Sequence, residues 1–453
     1  MTGANQFVPE ERKRRSGFKE GYFMNLAENR RFLENPDCAA VMKQLYGEKA
    51  EENKARYVLV LDGYEKRFGA GETALFTSAG RTEICGNHTD HNHGKVLAGS
   101  INLDCVAAAG KNESSKVHII SETFGQDFCI DLNELAPSAQ FAGTEDLTRG
   151  ILKAFCDAGF AVGGFNAYVT SNVIASAGVS SSASYEMLIC SILNELFNGG
   201  RIDVVAYAHM GKYAENVYWK KASGLMDQMA CAVGGLIALD FNCPEKPVVK
   251  KLAFDFAKTG YAMIMVQTGK GHADLSEEYS SIPGEMKRVA TFFGKEALAE
   301  CSEEALIEAL PEVRAACGDR AVMRAFHFFE ENKKVDGAVK ALEENDFARA
   351  LAYITASGNS SWKYLQNTYV TGAVEEQSIP VALALTEIYI SRTGKGACRV
   401  NGGGFAGVIQ TFIPEEQAAD YVAYMDRAIG AGSAHVMKIR PIGAACLSRL
   451  CRA

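Results

Sequence analysis

The segment SAGVSSSASYEMLICSILNELFN, Ser176 to Asn198, constrains the fold more than any other stretch of this chain. A run of small residues passes without a break into apolar residues at helical spacing, so a loop must feed straight into a helix N-terminus. Small residues let the backbone approach a ligand closely. The first turn of the helix offers unpaired amides and the positive end of its dipole. Gly178 to Ser184 is therefore a candidate anion site, and the hydroxyls of Ser180, Ser181 and Ser182 can add hydrogen bonds or a Mg²⁺ ligand. The same residues suit an ordinary serine cap, and this stretch alone leaves both readings open.

Such a helix start belongs to a chain that interleaves strands and helices, and the flanking sequence does so. TALFTSAG, KVLAGSINLDCVAAAG and KVHIISETF alternate like strands, DLTRGILKAFCDAGF is spaced as an amphipathic helix, and GFNAYVTSNV returns to a strand. DVVAYAHMGKYAENVYW reads as a second helix. The strand-like GGLIALDF and GYAMIMVQTG straddle a boundary near Lys251. Beyond it, helices are expected at Pro283 to Phe293, Pro311 to Asn332, Val335 to Ser357 and Glu415 to Ile429, with a glycine-rich link in ACRVNGGGFAGVIQTFI and a last strand in HVMKIRPIG. This is not a clean βαβ series. The spacing predicts an α+β protein in three parts: a helical, charged extension over 1–52, a domain over 53–251 and a second domain over 252–453.

A net charge of −8 argues against nucleic acid or an anionic membrane surface as partner. The one dense basic run, ERKRRSGFK from Glu11 to Lys19, reads as a solvated terminus. Thirteen cysteines without CxxC spacing, no secretory signal and no apolar run of membrane-spanning length lead us to expect free thiols and a cytoplasmic location.

Three further stretches carry chemistry. In GRTEICGNHTDHNHGK, His88, His91 and His93 with Asp90 suggest a transition-metal site. HxxHxH in a loop leaves the ligand geometry open, however, and no second Cys/His cluster completes it. A hydrogen-bonded turn that grips a small hydroxylated ligand fits better, with Arg81 at its head to neutralise developing negative charge. In NGGGFAG, Gly402, Gly404 and Gly407 match GxGxxG, but the strand-like VIQTFI follows, so a dinucleotide fingerprint is rejected in favour of a tight turn between strands. No GxxxxGK[ST] occurs. AENVYWKKASGLMDQ sets Glu215 on a helix and Asp227 at the start of the next apolar segment, where the plain readings are an exposed carboxylate and a helix cap.

Taken in order, GRTEICGNHTDHNHG, AGVSSSAS, GLMDQ and GGGFAG resemble the galactokinase branch of the GHMP small-molecule kinases, from about Thr77 to the PIGA that ends at Ala444. The resemblance implies a two-domain α+β fold with its active site in the cleft, and ATP-dependent, Mg²⁺-assisted phosphorylation of the anomeric hydroxyl of galactose. It puts the catalytic base at Asp227 and the motif arginine at Arg81. It assigns sugar contacts to Asn87, His88, Asp90, Gly224 and Tyr279, the last through an H-x₆-Y spacing from His272. It assigns the ATP phosphate loop to Gly178, Ser180, Ser181, Ser182, Ala183 and Ser184, and Mg²⁺ to Ser182 and Glu215. Sugar and ATP are the implied partners of a monomer or weak homo-oligomer. Departures are Asn87 and His91 where the family's loop has Glu and Tyr, Ile174 and Ser176 where its phosphate loop opens with Pro and Gly, and Ala79 where a proline precedes Gly-Arg. A neutral Asn87 can donate as well as accept hydrogen bonds. A 1-kinase for galacturonate or N-acetylgalactosamine therefore remains an alternative. So do a sensor that binds sugar and ATP without transfer, and a metal-dependent hydrolase built on the histidines.

Overall fold

The computed structural model describes residues 23–138, 143–174, 178–221, 223–269 and 275–451. The expectations for Glu11 to Lys19, Ser176 and His272 lie outside these residues.

Two sheets organise the described residues. The larger has nine strands and is built on two long antiparallel strands, Glu72–Cys85 and Lys95–Lys111. Their residues alternate between two apolar layers, as the pleat requires. Leu75, Val106 and Ala108 pack on Tyr57, Val60 and Leu61 of the helix Ala50–Phe68. Ala74, Phe76, Ala107 and Ala109 share a core with Leu188, Ile189 and Ile192 of the helix Ser181–Asn198. Covered on both faces, these strands read as runs of apolar and small residues. One pairing in the sheet is parallel, between Lys116–Ser121 and Phe165–Ser171.

The smaller sheet orders Ala397–Asn401, Val408–Pro414, Tyr261–Gln267 and Ala434–Met437, all antiparallel. Ile264, Val266, Val400 and Ile409 face the helices Ser378–Thr393 and Ala418–Ala428. Met263, Met265, Val408 and Phe412 join the core beneath the first sheet, so one apolar cluster runs under both.

Several element boundaries differ from expectation. Residues 24–52 carry the helices Leu26–Leu33 and Pro36–Tyr46 and are tied to the first sheet: Met24 and Asn25 pair with Thr73 and Glu72, and the fully buried Asn29 donates to the Thr73 carbonyl at 3.1 Å. In the second half one continuous helix, Asp319–Glu343, replaces the expected break near Lys333; the chain breaks instead at Gly318 and Asn345, both at positive φ. Through that stretch the helix turns polar residues both ways: Lys333 pairs with Glu330 at 2.7 Å on the outer side, while Glu331 is fully buried and accepts from Gly86 N at 3.1 Å. The last strand stops at Met437, and the tail returns to the first sheet, where Ala445 and Cys446 pair with Thr77 and Phe76. Among the described residues no helix is long and apolar enough to cross a membrane.

Candidate active site

The site lies where the end of Glu72–Cys85 meets the glycine turn that follows Ala397–Asn401. The register of the long strand pair shifts between Ala79 and Arg81. Such an irregularity re-aims the side chains that follow it, and Arg81 turns into the junction with only 4 % of its surface exposed. Its Nε and Nη2 donate to the two oxygens of Asp227 at 2.7 and 2.8 Å, a bidentate pair. Its Nη1 donates to the Gly178 carbonyl. Asp227 sits in the first turn of the helix Met226–Val233 and also accepts from the Ser180 hydroxyl. Burial acts to raise the Asp227 carboxyl, but Arg81 beside it wins and brings it down to about 2. The pair is therefore ionic throughout the neutral range.

The phosphate-loop residues divide by direction. Gly178 has a φ of 63°, and a Cβ there would lie 2.9 Å from Val408 Cγ2, so only glycine fits this approach of loop to strand. Ser180 spends its hydroxyl on Asp227. Ser181 opens the helix. Ser182 Oγ donates to Glu215 Oε1 at 2.9 Å. Ala183 is buried. Ser184 is fully buried and donates to the Ser78 carbonyl at 2.7 Å, so its hydroxyl faces the sheet.

Glu215 lies on a π-helical turn, Ala214–Tyr218, closed by Trp219 N donating to Ala214 O at 3.1 Å. One extra residue in the turn rotates the carboxylate relative to the preceding helix. Around it stand three residues that the sequence reading did not single out. Lys221 Nζ lies 3.0 Å from Glu215 Oε1. The Gln228 amide donates to Glu215 and Glu186, at 3.1 Å each. Glu186 is fully buried, and its Oε1 has no hydrogen-bond partner among the described residues. Burial first, and the Glu215 carboxylate second, push the Glu186 carboxyl well up. Their only sequence signal is position, near the serine loop for Glu186 and inside the Asp227 stretch for the other two. Hard oxygen donors at Ser182 and Glu215, with an orphaned carboxyl oxygen behind them, suit Mg²⁺.

The histidine loop does not gather as a metal site. Among the described residues no group of three or more His, Cys, Asp or Glu side chains is placed to hold a metal. His88 and His91 stack at 5.9 Å, while His93 lines a separate cavity of about 350 Å³ with Lys95, Asp240 and Asn332. His88 Nε2 lies 2.9 Å from the Gly403 carbonyl and, facing a pure acceptor, must donate. Burial, then His91, lowers the His88 imidazole to about 4, so the ring is neutral at pH 7. Asp90 packs against Gly224, where a Cβ would meet its Oδ2 at 1.7 Å, and accepts from Met226 N at 3.5 Å. The loop is thereby seated on the start of the Asp227 helix. Tyr279 donates to the Gly404 carbonyl at 3.0 Å. Asn87 is fully buried among protein groups. Thus Arg81, Asp227, Ser180, Ser182, Glu215, Asp90 and Gly224 converge around the serine loop and the Asp227 helix, while Asn87, His88 and Tyr279 close on the glycine turn.

Comparison with known proteins follows the same lines. Residues 62–111 match the model of the galactokinase galactose-binding signature, and residues 146–235 match that of the GHMP kinases N terminal domain. The chain is 29% identical over 371 residues to the galactokinase of Limosilactobacillus fermentum, covering 79% of this chain and 90% of that one. It is 28% identical over 365 residues to the galactokinase of Glaesserella parasuis, covering 78% and 88%. The fold matches the crystal structure of Lactococcus lactis galactokinase complexed with galactose, with a TM-score of 0.74 at 23% identity, covering 86% of this chain and all of that one.

Proposed function

Because this chain belongs to the GHMP kinase family, in its galactokinase branch, we propose that it transfers the γ-phosphoryl group of ATP to the anomeric hydroxyl of galactose. The hydroxyl oxygen forms the new P–O bond, the bond to the β-phosphate oxygen breaks to release ADP, and the sugar proton passes by way of Asp227 to solvent. The observation that carries this reading is the bidentate Arg81–Asp227 pair at the mouth of a serine-rich helix N-terminus. A carboxylate held near 2 is a weak base. It serves first to orient the hydroxyl and takes the proton late, as suits a loose phosphoryl-transfer transition state in which positioning and charge neutralisation supply most of the rate.

In this mechanism Arg81 keeps Asp227 ionised and ties it to Gly178 of the phosphate loop. The helix N-terminus receives phosphate oxygens. Lys221, half-exposed beside Glu215, is placed to give its charge to the same phosphates. Ser182 and Glu215 would hold Mg²⁺, which when bound neutralises charge on the transferred group.

ADP release measured over galactose, galacturonate and N-acetylgalactosamine tests the proposal, with turnover of galactose expected. No turnover of any sugar would sink the kinase reading, and preference for galacturonate would change the substrate. Asp227→Asn should lower kcat by about 10³-fold, on the scale of a lost general base and positioning group. Wild-type kcat in that variant would remove Asp227 from the mechanism.

A further inference from the structure

Three successive carbonyls of the glycine turn are each gripped by a side chain of the sugar loop or its neighbours. Gly402 O accepts from Asn87 Nδ2 at 2.8 Å, Gly403 O from His88 at 2.9 Å and Asn367 at 3.1 Å, and Gly404 O from Tyr279 at 3.0 Å. Asn87 is the hub. Its Nδ2 also donates to Glu83 Oε1 and Oε2 at 3.0 and 3.2 Å, while its Oδ1 accepts from Asn367 Nδ2 at 2.8 Å and Ser361 Oγ at 3.2 Å. The amide therefore has one orientation, since a flip would set its oxygen against a carboxylate and a carbonyl.

Glu83 is in turn held from the other sheet. Arg399 Nη2 donates to Glu83 Oε1 at 2.5 Å and Nη1 to the Glu83 carbonyl at 3.1 Å. Glu83 is 2 % exposed and Arg399 fully buried. A buried pair of this kind is costly to break because the surviving charge is left without a partner. Downstream of Asn87 the chain enters His88 at a φ of 55° and reaches Asp90, which meets the backbone ahead of Asp227. The orientation of one buried amide is thus transmitted to the group that faces the acceptor.

We propose that Glu83 and Arg399 are positioning residues for the acceptor sugar: their ion pair fixes the Asn87 amide, which locks the sugar loop onto the glycine turn. Asn87 then acts on sugar selection through the loop and not by touching the sugar. Glu331, also fully buried, accepts from Gly86 N at 3.1 Å, and Glu83 sets a negative charge directly against the Asn87 amide. A carboxylate at position 87 would lie against that charge and against the Gly402 carbonyl. The inference rests on the kinase reading above.

The test is a charge-relocation cycle of Glu83→Gln, Asn87→Glu and the double variant, with sugar and ATP kinetics and melting temperature for each. Asn87→Glu should lose about 100-fold or more in kcat/KM for galactose. Glu83→Gln should raise the sugar KM about tenfold and leave the ATP KM within about twofold, a split that general loosening of the fold would not produce. The double variant should regain about tenfold or more over Asn87→Glu, because moving the charge restores one carboxylate for Arg399. Additive losses in the double variant would overturn the proposal. So would an unchanged sugar KM in Glu83→Gln, which decides the matter even if Asn87→Glu does not fold. A wild type that turned over no sugar would overturn only the kinase reading. The melting temperatures of the same cycle would then decide this one, with coupling of the same sign expected and additivity fatal.

Discussion

Asp227 and His88 are both held away from their ordinary protonation, by different causes. Asp227 is brought down by Arg81, 146 positions away, whereas His88 is lowered by burial and then by its neighbour His91, against the Gly403 carbonyl, which acts to raise it. The signs can be worked out. Asp227 titrates at about 2 in the fold and near 3.9 in an unfolded chain. Its contribution, on the order of 2 kcal/mol, is present above about pH 4 and lost as pH falls towards 2. His88 titrates at about 4 in the fold and near 6.5 unfolded. Between those values the unfolded chain binds the extra proton, so the fold weakens as pH falls. In thermal melts, the share of stability due to His88 should therefore be level above about pH 7 and decline from about 6.5 to 4, and that due to Asp227 should decline below 4, while the raised Glu186 carboxyl acts in the opposite sense. His88→Gln should flatten the upper part of that decline, and an unchanged slope would show that His88 does not titrate as described. Asp227, Arg81 and Glu215 were named as a set by the resemblance of four motifs in order; taken alone, Asp227 reads equally as a helix cap and Glu215 as an exposed carboxylate. Lys221, Glu186, Gln228 and Glu83 were not legible, because a lone polar residue on a helix or strand has many solvent-exposed uses.

Elements were readable where one face repeats and unreadable where backbone geometry departs from the regular. The helix Ser181–Asn198 follows from its own periodicity. The π-turns Ala214–Tyr218 and Ser361–Leu365 do not, for their residues are those of an ordinary helix. Yet one carries Glu215 to Ser182 and the other brings Ser361 to Asn87. Deleting the exposed Val217 should relax the first turn to α-helix and rotate Glu215 by roughly 100° per residue. Activity should then fall about 100-fold or more with far-UV circular dichroism unchanged. Wild-type activity would show that the turn has no part in placing Glu215.

At the scale of the whole molecule, the chain ends are what the linear order concealed. The fully buried Asp104 accepts from Arg440 Nη1 at 2.6 Å, Arg56 Nη1 at 2.5 Å and the Tyr46 hydroxyl, so the tail, the N-terminal helices and the central strand meet at one carboxylate. Arg440 also holds Thr77 Oγ1 at 2.8 Å, four positions before Arg81. Arg440→Met should cost about 3–5 kcal/mol in urea unfolding and leave KM for both substrates nearly unchanged. A loss under about 1 kcal/mol would show that Asp104 is satisfied by its other partners. By itself the sequence determined the mixed α+β class, the strands and helices with a clear apolar period, and the residues of the four motifs. These are local properties, set by side-chain spacing and by backbone freedom at a few glycines. Only the tertiary structure decided which polar groups face each other: Glu83 with Asn87 and Arg399, Ser184 with the sheet, Arg440 of the tail with Asp104 and Thr77. Burial removes water as the default partner, and each polar group must then find another one wherever in the chain it lies.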